Sequence, residues 1–224
     1  MLAVAVLAQK GGVGKTTVAL GLAVEGERRG LPAVVVDLDP QGSAAKWGDT
    51  REESFPAVTA AQASRLQKVL TAAAQGGAGV VVIDTAPYAM DAALAAAKAA
   101  DLVMVPCRPS AFDLDAIAAT VEIAALARKR AVVVLNAAPV NNPVVGQARD
   151  ALAGYEGVAT CPTVLHHRID HVHAAGVGQV ATEWAPGGKA AEELRALAEW
   201  IYGKAAEGGP SRGGATRGRT HDGS

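Results

Sequence analysis

The sequence contains little cysteine, no long hydrophobic run and almost no net charge. Its two cysteines, Cys107 and Cys161, are far apart and lack CxxC spacing. This argues against a disulfide framework or a zinc site within one chain, and it fits a reducing cytoplasm. No apolar run approaches the ~20 residues that a membrane-spanning helix needs. The formal net charge is −1, so any affinity for nucleic acid must come from a local basic patch.

The composition provides ample material for one folded core, because 50% of the 224 residues are hydrophobic. The first apolar run, Leu2–Ala8, is too short for a signal peptide and ends in Gln-Lys. Such runs alternate with alanine-rich stretches along the chain. This alternation predicts βαβ crossovers and a mostly parallel sheet covered on both faces by helices.

The predicted strands are Leu2–Ala8, Ala33–Asp37, Val80–Asp84, Leu102–Pro106, Ala131–Asn136 and Val158–Thr160. The predicted helices are Gly14–Arg29, Ala61–Ala74, Met90–Ala99, Asp113–Arg128, Pro143–Leu152, Arg168–Ala175 and Lys189–Tyr202. We therefore expect a single three-layer α/β domain over residues 1–205. Residues 206–224 are rich in Gly and Arg and lack large apolar side chains, so we expect a disordered tail. This tail is either inert or adds weak attraction to a polyanion.

A glycine-rich segment between the first strand and the first helix has the form of a phosphate-binding loop. It comprises Lys10, Gly11, Gly12, Val13, Gly14, Lys15, Thr16 and Thr17. The glycines permit conformations that turn successive N–H groups toward an anion, and the following helix adds its positive dipole end. Lys15 supplies a charge to the β and γ phosphates, and Thr16 offers a hydroxyl to Mg²⁺. The segment predicts a nucleoside triphosphate site with a second lysine, Lys10, where the general motif leaves the residue open.

Acidic residues follow two of the predicted strands, where a triphosphate site needs them. Asp84 ends a continuous apolar run, which is typical of a Walker B strand whose carboxylate holds Mg²⁺ through water. Asp37 and Asp39 end another strand, and their i, i+2 spacing places both carboxylates on one side of an extended segment. Because the carboxyl ends of parallel strands meet at one edge of the sheet, we expect these carboxylates beside the loop.

The segment from His166 to His173 contains four histidines and one arginine. His167 and His171 are spaced i, i+4 and could share a helix face as metal ligands. No cysteine or carboxylate pattern completes a catalytic set, so an exposed polar surface is the better interpretation.

These motifs resemble the three signatures of the deviant Walker ATPases, the ParA/MinD family, and most closely its ParA partition branch. The signatures are Lys10–Thr17, Asp37–Gly42 and Val82–Thr85. Further similar stretches are Val105–Ser110, Phe112–Leu114, Arg168–Ile169, Ala174–Gly176 and Lys189–Leu194. The resemblance runs over about residues 2–203. It implies a P-loop NTPase fold and the absence of the N-terminal DNA-binding domain that longer members carry.

The resemblance also implies roles for individual residues. It implies a nucleotide-sandwich homodimer in which Lys10 reaches the partner's phosphates while Lys15 acts within its own subunit. The carboxylate at Asp39 helps to place the attacking water, and Asp37 lies near the magnesium. Asn136, which ends the fifth predicted strand, matches a position used for adenine recognition, and its amide offers both a donor and an acceptor.

From the family we expect an ATPase that uses ATP and Mg²⁺, is weak alone and is stimulated by a partner. We expect the dimer to bind nonspecific DNA and to partition or position a cargo with a ParB-like or cargo-adaptor protein. Arg168 is the lead candidate for DNA binding, because it lies in the region where partition ATPases carry DNA-binding basic residues. The expected location is the cytoplasm at the nucleoid, without membrane contact.

Related sites drive other processes, so three alternatives stay open. A MinD-like spatial regulator needs a terminal amphipathic helix with a cationic face, whereas Lys189–Tyr202 is more simply a helix packed on the sheet. An iron–sulfur reductase needs its cysteines in a glycine-rich context, which Cys107 and Cys161 lack. A dethiobiotin-synthetase-like ligase uses the same loop on a small substrate, but the second lysine favours partition-type ATPases.

Overall fold

The computed structural model describes residues 1–155 and 158–207, and these form an α/β domain around a seven-stranded sheet. The strands are β1 Leu2–Val6, β2 Ala33–Asp37, β3 Ala57–Ala60, β4 Val80–Asp84, β5 Leu102–Cys107, β6 Ala131–Leu135 and β7 Val158–Thr160. Their order is β3-β2-β4-β1-β5-β6-β7, and every pairing is parallel. All six predicted strands are present, and the predicted three-layer fold is confirmed.

The helices of the described residues cover both faces of this sheet. They are α1 Lys15–Arg28, α2 Ser43–Thr50, α3 Leu66–Gln75, α4 Met90–Ala99, α5 Ala111–Asp115, α6 Ile117–Leu126, α7 Val144–Ala153, α8 Ile169–Gly176, α9 Ala181–Trp184 and α10 Lys189–Glu207. Helices α1, α2, α9 and α10 contribute to one apolar core, and α3, α4, α6 and α7 contribute to the other.

The central strands are apolar on both sides because both sides are covered. In β1, Val4 and Val6 belong to one core and Ala5 to the other, and all three are fully buried. In β4, Val80 and Val82 likewise face one layer, while Val81 faces the other. Continuous apolar runs are what a doubly covered parallel sheet requires, so the predicted burial pattern is confirmed.

The structure contains three elements that the sequence did not predict, the helices α2 and α9 and the strand β3. Helix α2 begins where the Asp37 carboxylate accepts hydrogen bonds from the N–H groups of Ala44 and Ala45, both at 3.0 Å. Strand β3 lies at the sheet edge, and its side chains are mostly exposed, so it lacks a buried apolar run. The helix predicted over Asp113–Arg128 is divided at Ala116 into α5 and α6.

The C-terminal helix extends beyond its predicted end, from Lys189 to Glu207. The predicted disordered tail over residues 206–224 lies outside the described residues from position 208 onward. Within the described part of the chain, no helix has the length and apolar character needed to cross a membrane.

Candidate functional site

The phosphate-binding loop connects β1 to α1 at the carboxyl edge of the sheet. Gly12 and Gly14 have φ angles of 73° and 84°, a region that side-chain-bearing residues rarely adopt. A Cβ atom at Gly14 would lie 2.3 Å from Nδ2 of Asn136, so a side chain there would clash as well as strain the backbone. The loop therefore requires glycine at this position for two independent reasons. It ends in the N-terminus of α1, where free N–H groups attract anions.

Lys15 lies inside the site rather than on its surface. Its residue exposure is 7%, and its Nζ lies 3.4 Å from the carbonyl oxygen of Lys10. Burial lowers the pKa of Lys15, while the negative charges of Asp84 and Asp39 raise it. A buried ammonium with few protein acceptors is well placed to neutralise a bound polyanion.

Thr16 and Asp84 form the oxygen-rich corner of the site. The Thr16 hydroxyl donates to Oδ2 of Asp84 at 2.6 Å, and Asp84 is fully buried. Burial raises the pKa of Asp84 to about 7, nearby Asp37 adds to the rise, and the Thr16 hydrogen bond and Lys15 oppose it. Oδ1 of Asp84 has no hydrogen-bond partner among the described residues. Hydroxyl and carboxylate oxygens are the ligands that Mg²⁺ prefers, so these two residues fit a hydrated Mg²⁺ ion.

Asp37 and Asp39 follow β2 but have different surroundings. Asp37 is buried, and its Oδ1 accepts the N–H of Asp39 at 2.9 Å while its Oδ2 accepts two N–H groups at the start of α2. It therefore fixes the β2–α2 connection, and its predicted place near Mg²⁺ stays a prediction. Asp39 is half-buried, and its Oδ1 accepts the N–H of Gln41 at 2.9 Å.

A cavity of about 760 Å³ opens beside the loop, within the usual size range of small-molecule sites. The loop and α1 form one wall, and α2, α8 and α9 form the other. Lys46 and Trp47 line it from α2, and His171 lines it from α8. Asp39 also lines this cavity, which places its carboxylate on the same side of the loop as Lys15.

Helix α2 is tied to the domain at both ends. Asp37 holds its first turn, and Arg51, directly after its last residue, pairs with Glu183 of α9 through two contacts of 2.7 and 2.9 Å. Arg51 also donates to the carbonyl of Gly178 at 2.8 Å, and the indole N–H of Trp47 donates to the carbonyl of Gln179 at 3.0 Å. Arg51 retains only 5% side-chain exposure. The wall of the cavity is therefore a connected unit.

Asn136 lies against the loop. Its Nδ2 donates to the carbonyl oxygen of Val13 at 2.7 Å, and the residue is buried. The structure thus places Asn136 against the phosphate-binding loop. Its amide nitrogen is engaged by the protein itself, and its role in adenine recognition stays a prediction.

Lys10 lies apart from the cavity, beside α5. Its Nζ lies 3.3 Å from Oδ1 of Asp113 and 6.0 Å from the centre of the Phe112 ring. Its side chain is 36% exposed. Lys10 and Lys15 thus have separate surroundings although they belong to one loop.

Arg168 differs from the exposed basic side chain that the sequence predicts. Its Nε and Nη2 donate to Oε1 of Glu193 at 3.1 and 2.6 Å, and its side-chain exposure is 22%. The backbone N–H of His166 donates to the same carboxylate, and its ring nitrogen lies 2.8 Å from it. Arg168 is therefore largely neutralised within the domain. Its binding to DNA stays a prediction whose test needs a control for the broken ion pair.

The remaining candidates do not form a metal centre in the described residues. No group of three or more His, Cys, Asp or Glu side chains there is placed to hold a metal ion. His167 is exposed, whereas His171 is half-buried at the cavity. Cys107 and Cys161 are buried in opposite cores, and burial raises the pKa of the Cys107 thiol to about 12.

Three residues at the site were not predicted from the sequence to have a role there. Arg108 donates to the carbonyl of Gly12, and Asp113 contacts Lys10. Both residues belong to the stretches that resemble partition ATPases, and this resemblance could have identified them as site residues. Nothing in the sequence indicates a role for Arg51, because its partner Glu183 lies far away along the chain and no local pattern marks the pair.

Comparison with known proteins agrees with this geometry. The model of the CbiA family, the CobQ/CobB/MinD/ParA nucleotide-binding domain, matches residues 4–157. The chain is 41% identical over 126 residues to the maintenance of carboxysome distribution protein A of Gloeobacter kilaueensis, covering 55% of the chain and 56% of the relative. It is 35% identical over 115 residues to the protein ParA of Rhizobium radiobacter, covering 50% and 51%. The chain thus spans about half the length of these two relatives.

Other relatives match over most of their length. The chromosome-partitioning ATPase Soj of Thermus thermophilus is 27% identical over 240 residues, covering 91% of the chain and 96% of the relative. The septum site-determining protein MinD of Pyrococcus horikoshii, solved with Mg-ADP, superimposes with a TM-score of 0.73 at 18% identity, covering 93% and 98%. This structural similarity establishes the fold. Because the family model matches more than half of the chain, the resemblance seen in the motifs is confirmed, and the chain belongs to the CobQ/CobB/MinD/ParA nucleotide-binding domain family.

Proposed function

We propose that this protein is a ParA-type ATPase that dimerises when it binds ATP and binds DNA without sequence preference as a dimer. Hydrolysis of ATP to ADP and phosphate, stimulated by a ParB-like or cargo-adaptor protein, ends the DNA-bound state. The names of the relatives, carboxysome distribution and chromosome partition, support partition or positioning of an intracellular cargo. The proposed location is the cytoplasm at the nucleoid.

The separation of the two loop lysines carries this proposal. Lys15 is buried in its own subunit's site, whereas Lys10 lies partly exposed at the other side of the loop. Lys10 does not line the cavity beside the loop. A lysine on the loop that faces outward is well suited to a second subunit's phosphates.

Exposed apolar side chains flank the loop and support a dimer interface there. Tyr88 is 76% exposed, Met90 is 52% exposed, and both follow Pro87, which approaches Gly11. Phe112, beside Lys10 on the other flank, is 80% exposed. Large apolar groups around one site mark an interaction surface. A second copy seated on this face would cover them and bring the two loops together.

Mg²⁺, when bound with ATP, neutralises phosphate charge, and Thr16 with Asp84 would hold it. Lys15 adds a positive charge from within the same subunit. Asp39 lines the cavity beside the loop, and we propose that its carboxylate orients the attacking water. Asp37 keeps the Asp39 connection in place through its hydrogen bonds to Asp39 and to α2.

Two substitutions are expected to separate dimerisation from hydrolysis. Lys10→Ala should bind ATP but remain monomeric, because the cation for the partner's phosphates is removed. Asp39→Ala should bind ATP and dimerise, but its hydrolysis should fall by about a hundredfold, the usual effect of losing a positioned acid or base. Sedimentation velocity with ATP and Mg²⁺, together with phosphate release, measures both effects.

Matched controls are available on the surface of the same domain. Lys68→Ala on α3 and Asp49→Ala on α2 remove the same charges from exposed positions and should behave as wild type. A Lys10→Ala protein that still forms an ATP-dependent dimer would remove the cross-subunit role. ATP consumption without any dimer in the wild type would favour the ligase alternative.

DNA binding is expected only with ATP, because the net charge of −1 gives one subunit little attraction and dimerisation doubles any basic patch. Fluorescence anisotropy with duplexes of unrelated sequence, with ATP, ADP or no nucleotide, tests this. In a plot of the logarithm of the DNA-binding constant against the logarithm of the salt concentration, Arg168→Glu should reduce the steepness of the slope by about 0.9 for each phosphate that the dimer no longer neutralises. Deleting residues 207–224 should reduce the affinity for DNA less than Arg168→Glu does.

The paired residue supplies the control for Arg168. The double variant Arg168→Glu/Glu193→Arg restores an ion pair while it relocates the positive charge. If the double variant binds DNA as wild type does, the single variant acted by breaking the pair and Arg168 does not contact DNA. If the wild type shows no ATP-dependent binding even at low salt, the partition function is wrong.

A further inference from the structure

The contact between Lys10 and Asp113 joins the loop to the start of α5. Nζ of Lys10 lies 3.3 Å from Oδ1 of Asp113, whose side-chain exposure is only 6%. That oxygen is buried and makes no hydrogen bond with good geometry to any described residue. The Lys10 ammonium is therefore the group that compensates a buried carboxylate oxygen, and this compensation is electrostatic.

Asp113 is held in place by its own helix. The Ser110 hydroxyl contacts Oδ2 of Asp113, and the N–H of Asp113 lies 3.3 Å from the same hydroxyl oxygen. Ser110 is thus the N-cap of α5, and Asp113 occupies the third position of the first turn. Because one carboxylate oxygen is fixed by the cap, the other is presented at a fixed point. The lysine is the movable member of the pair.

Lys10 has a second neighbour on its exposed side. The Phe112 ring lies 6.0 Å from Nζ, at the limit of cation–π contact. This ring belongs to the exposed apolar surface that we assign to the dimer interface. The lysine that must cross to the partner is therefore held at the interface by two adjacent residues of α5.

We propose that Asp113 is a positioning residue that holds Lys10 within its own subunit. Asp113 thereby determines how much negative charge the partner's bound nucleotide must carry to draw Lys10 away. This inference rests on the proposed ATP-dependent dimer. For Lys10 to reach the partner's phosphates, it must leave Asp113 and expose a buried carboxylate oxygen without its counter-charge. The γ-phosphate supplies the additional negative charge that competes with Asp113. A diphosphate competes less well, so the contact favours dimers of the ATP state over those of the ADP state.

The test replaces the carboxylate with an amide of the same shape. Asp113→Asn should dimerise with ATP at a protein concentration at least about tenfold lower than wild type, since two such contacts open per dimer. It should also dimerise measurably with ADP. Asp115→Asn is the matched control, because Asp115 is an exposed residue of the same helix. Asp113→Glu keeps the negative charge at the third position of α5, where glutamate commonly takes part in capping the helix N-terminus. This variant should dimerise as the wild type does.

A second measurement uses the nucleotide-free monomer and detects the contact between Lys10 and Asp113 independently of dimerisation. Acetic anhydride should acylate Lys10 several-fold faster in Asp113→Asn than in Asp115→Asn, with Lys68 as the internal reference and peptide mass spectrometry as the readout. If Asp113→Asn proves unfolded by circular dichroism, Asp113→Ser provides the same test. It also removes the carboxylate while it keeps a hydroxyl that can pair with Ser110, and it should change the acylation rate and the dimerisation in the same direction.

The outcomes separate this inference from the proposed function. Equal dimerisation of Asp113→Asn and Asp115→Asn, with a normal ATP-dependent dimer in the wild type, overturns the role of Asp113 alone. A wild type that never dimerises overturns the dimer and the role of Asp113 with it, even where the acylation rates confirm the contact. Faster acylation together with dimerisation at lower concentration supports the proposal.

Discussion

Lys15→Ala is expected to abolish ATP binding, with a loss of affinity of about a hundredfold or more. Lys15 is the buried cation of the loop; burial lowers its pKa, and the negative charges of Asp84 and Asp39 oppose this lowering. Without Lys15, the phosphates would meet these carboxylates with no intervening positive charge. Equilibrium binding of a fluorescent ATP analogue with Mg²⁺ measures the effect.

Lys46→Ala is the control for this experiment. Lys46 lines the same cavity from α2 but does not belong to the loop. Its removal changes the net charge equally, so a general electrostatic effect would weaken both variants alike. We expect the Lys46 variant to keep its affinity within about tenfold of wild type. Undiminished binding by Lys15→Ala would show that the loop does not hold the phosphates.

Asp84→Asn is expected to stop ATP hydrolysis and, at the same time, to stabilise the nucleotide-free protein at alkaline pH. Burial raises the pKa of Asp84 to about 7 in the folded state, well above the ordinary value of an aspartate. The folded protein therefore retains a proton that the unfolded chain has released. The stability that this group contributes is present at low pH and falls as the pH rises from about 4 to 7.

The amide cannot ionise, so this decline should disappear in the variant. At pH 8 we expect the free energy of unfolding of Asp84→Asn to exceed that of wild type by on the order of 4 kcal/mol, since the pKa is raised from 3.8 to about 7. At pH 4 the difference should be small. Urea denaturation without nucleotide at several pH values measures it, with Asp49→Asn as the surface control. Parallel pH profiles of Asp84→Asn and wild type would contradict the raised pKa of this buried carboxyl group.

The sequence predicts those parts of the structure that depend on local pattern. Continuous apolar runs such as Val80–Asp84 predict buried strands, because a doubly covered sheet leaves no polar face. The loop from Lys10 to Thr17 is predictable residue by residue, since a glycine-rich turn between strand and helix has few alternatives. The position of the acidic residues at strand ends follows from the geometry of parallel sheets alone.

Contacts between distant segments could not be predicted in the same way. Helix α2 depends on Asp37, whose carboxylate satisfies two backbone donors of its first turn, and no residue of the helix itself indicates this cap. The sequence predicts an exposed Arg168, because nothing near it along the chain indicates Glu193. Pairing of charges is a property of the folded surface, so a local charge pattern overstates how many basic residues remain free.

The attachment of α2 at both ends has a mechanical consequence. A short rod that is fixed to Asp37 at one end and to Glu183 through Arg51 at the other cannot bend to absorb a displacement. The connection that carries Asp39, residues 38–42, is held by the same Asp37 carboxylate, so it moves together with α2. A tilt of α9 would therefore be transmitted through Arg51 and α2 to the carboxylate of Asp39. If Asp39 orients the attacking water as we propose, the surface around α9 is a second place from which the hydrolysis of ATP can be changed.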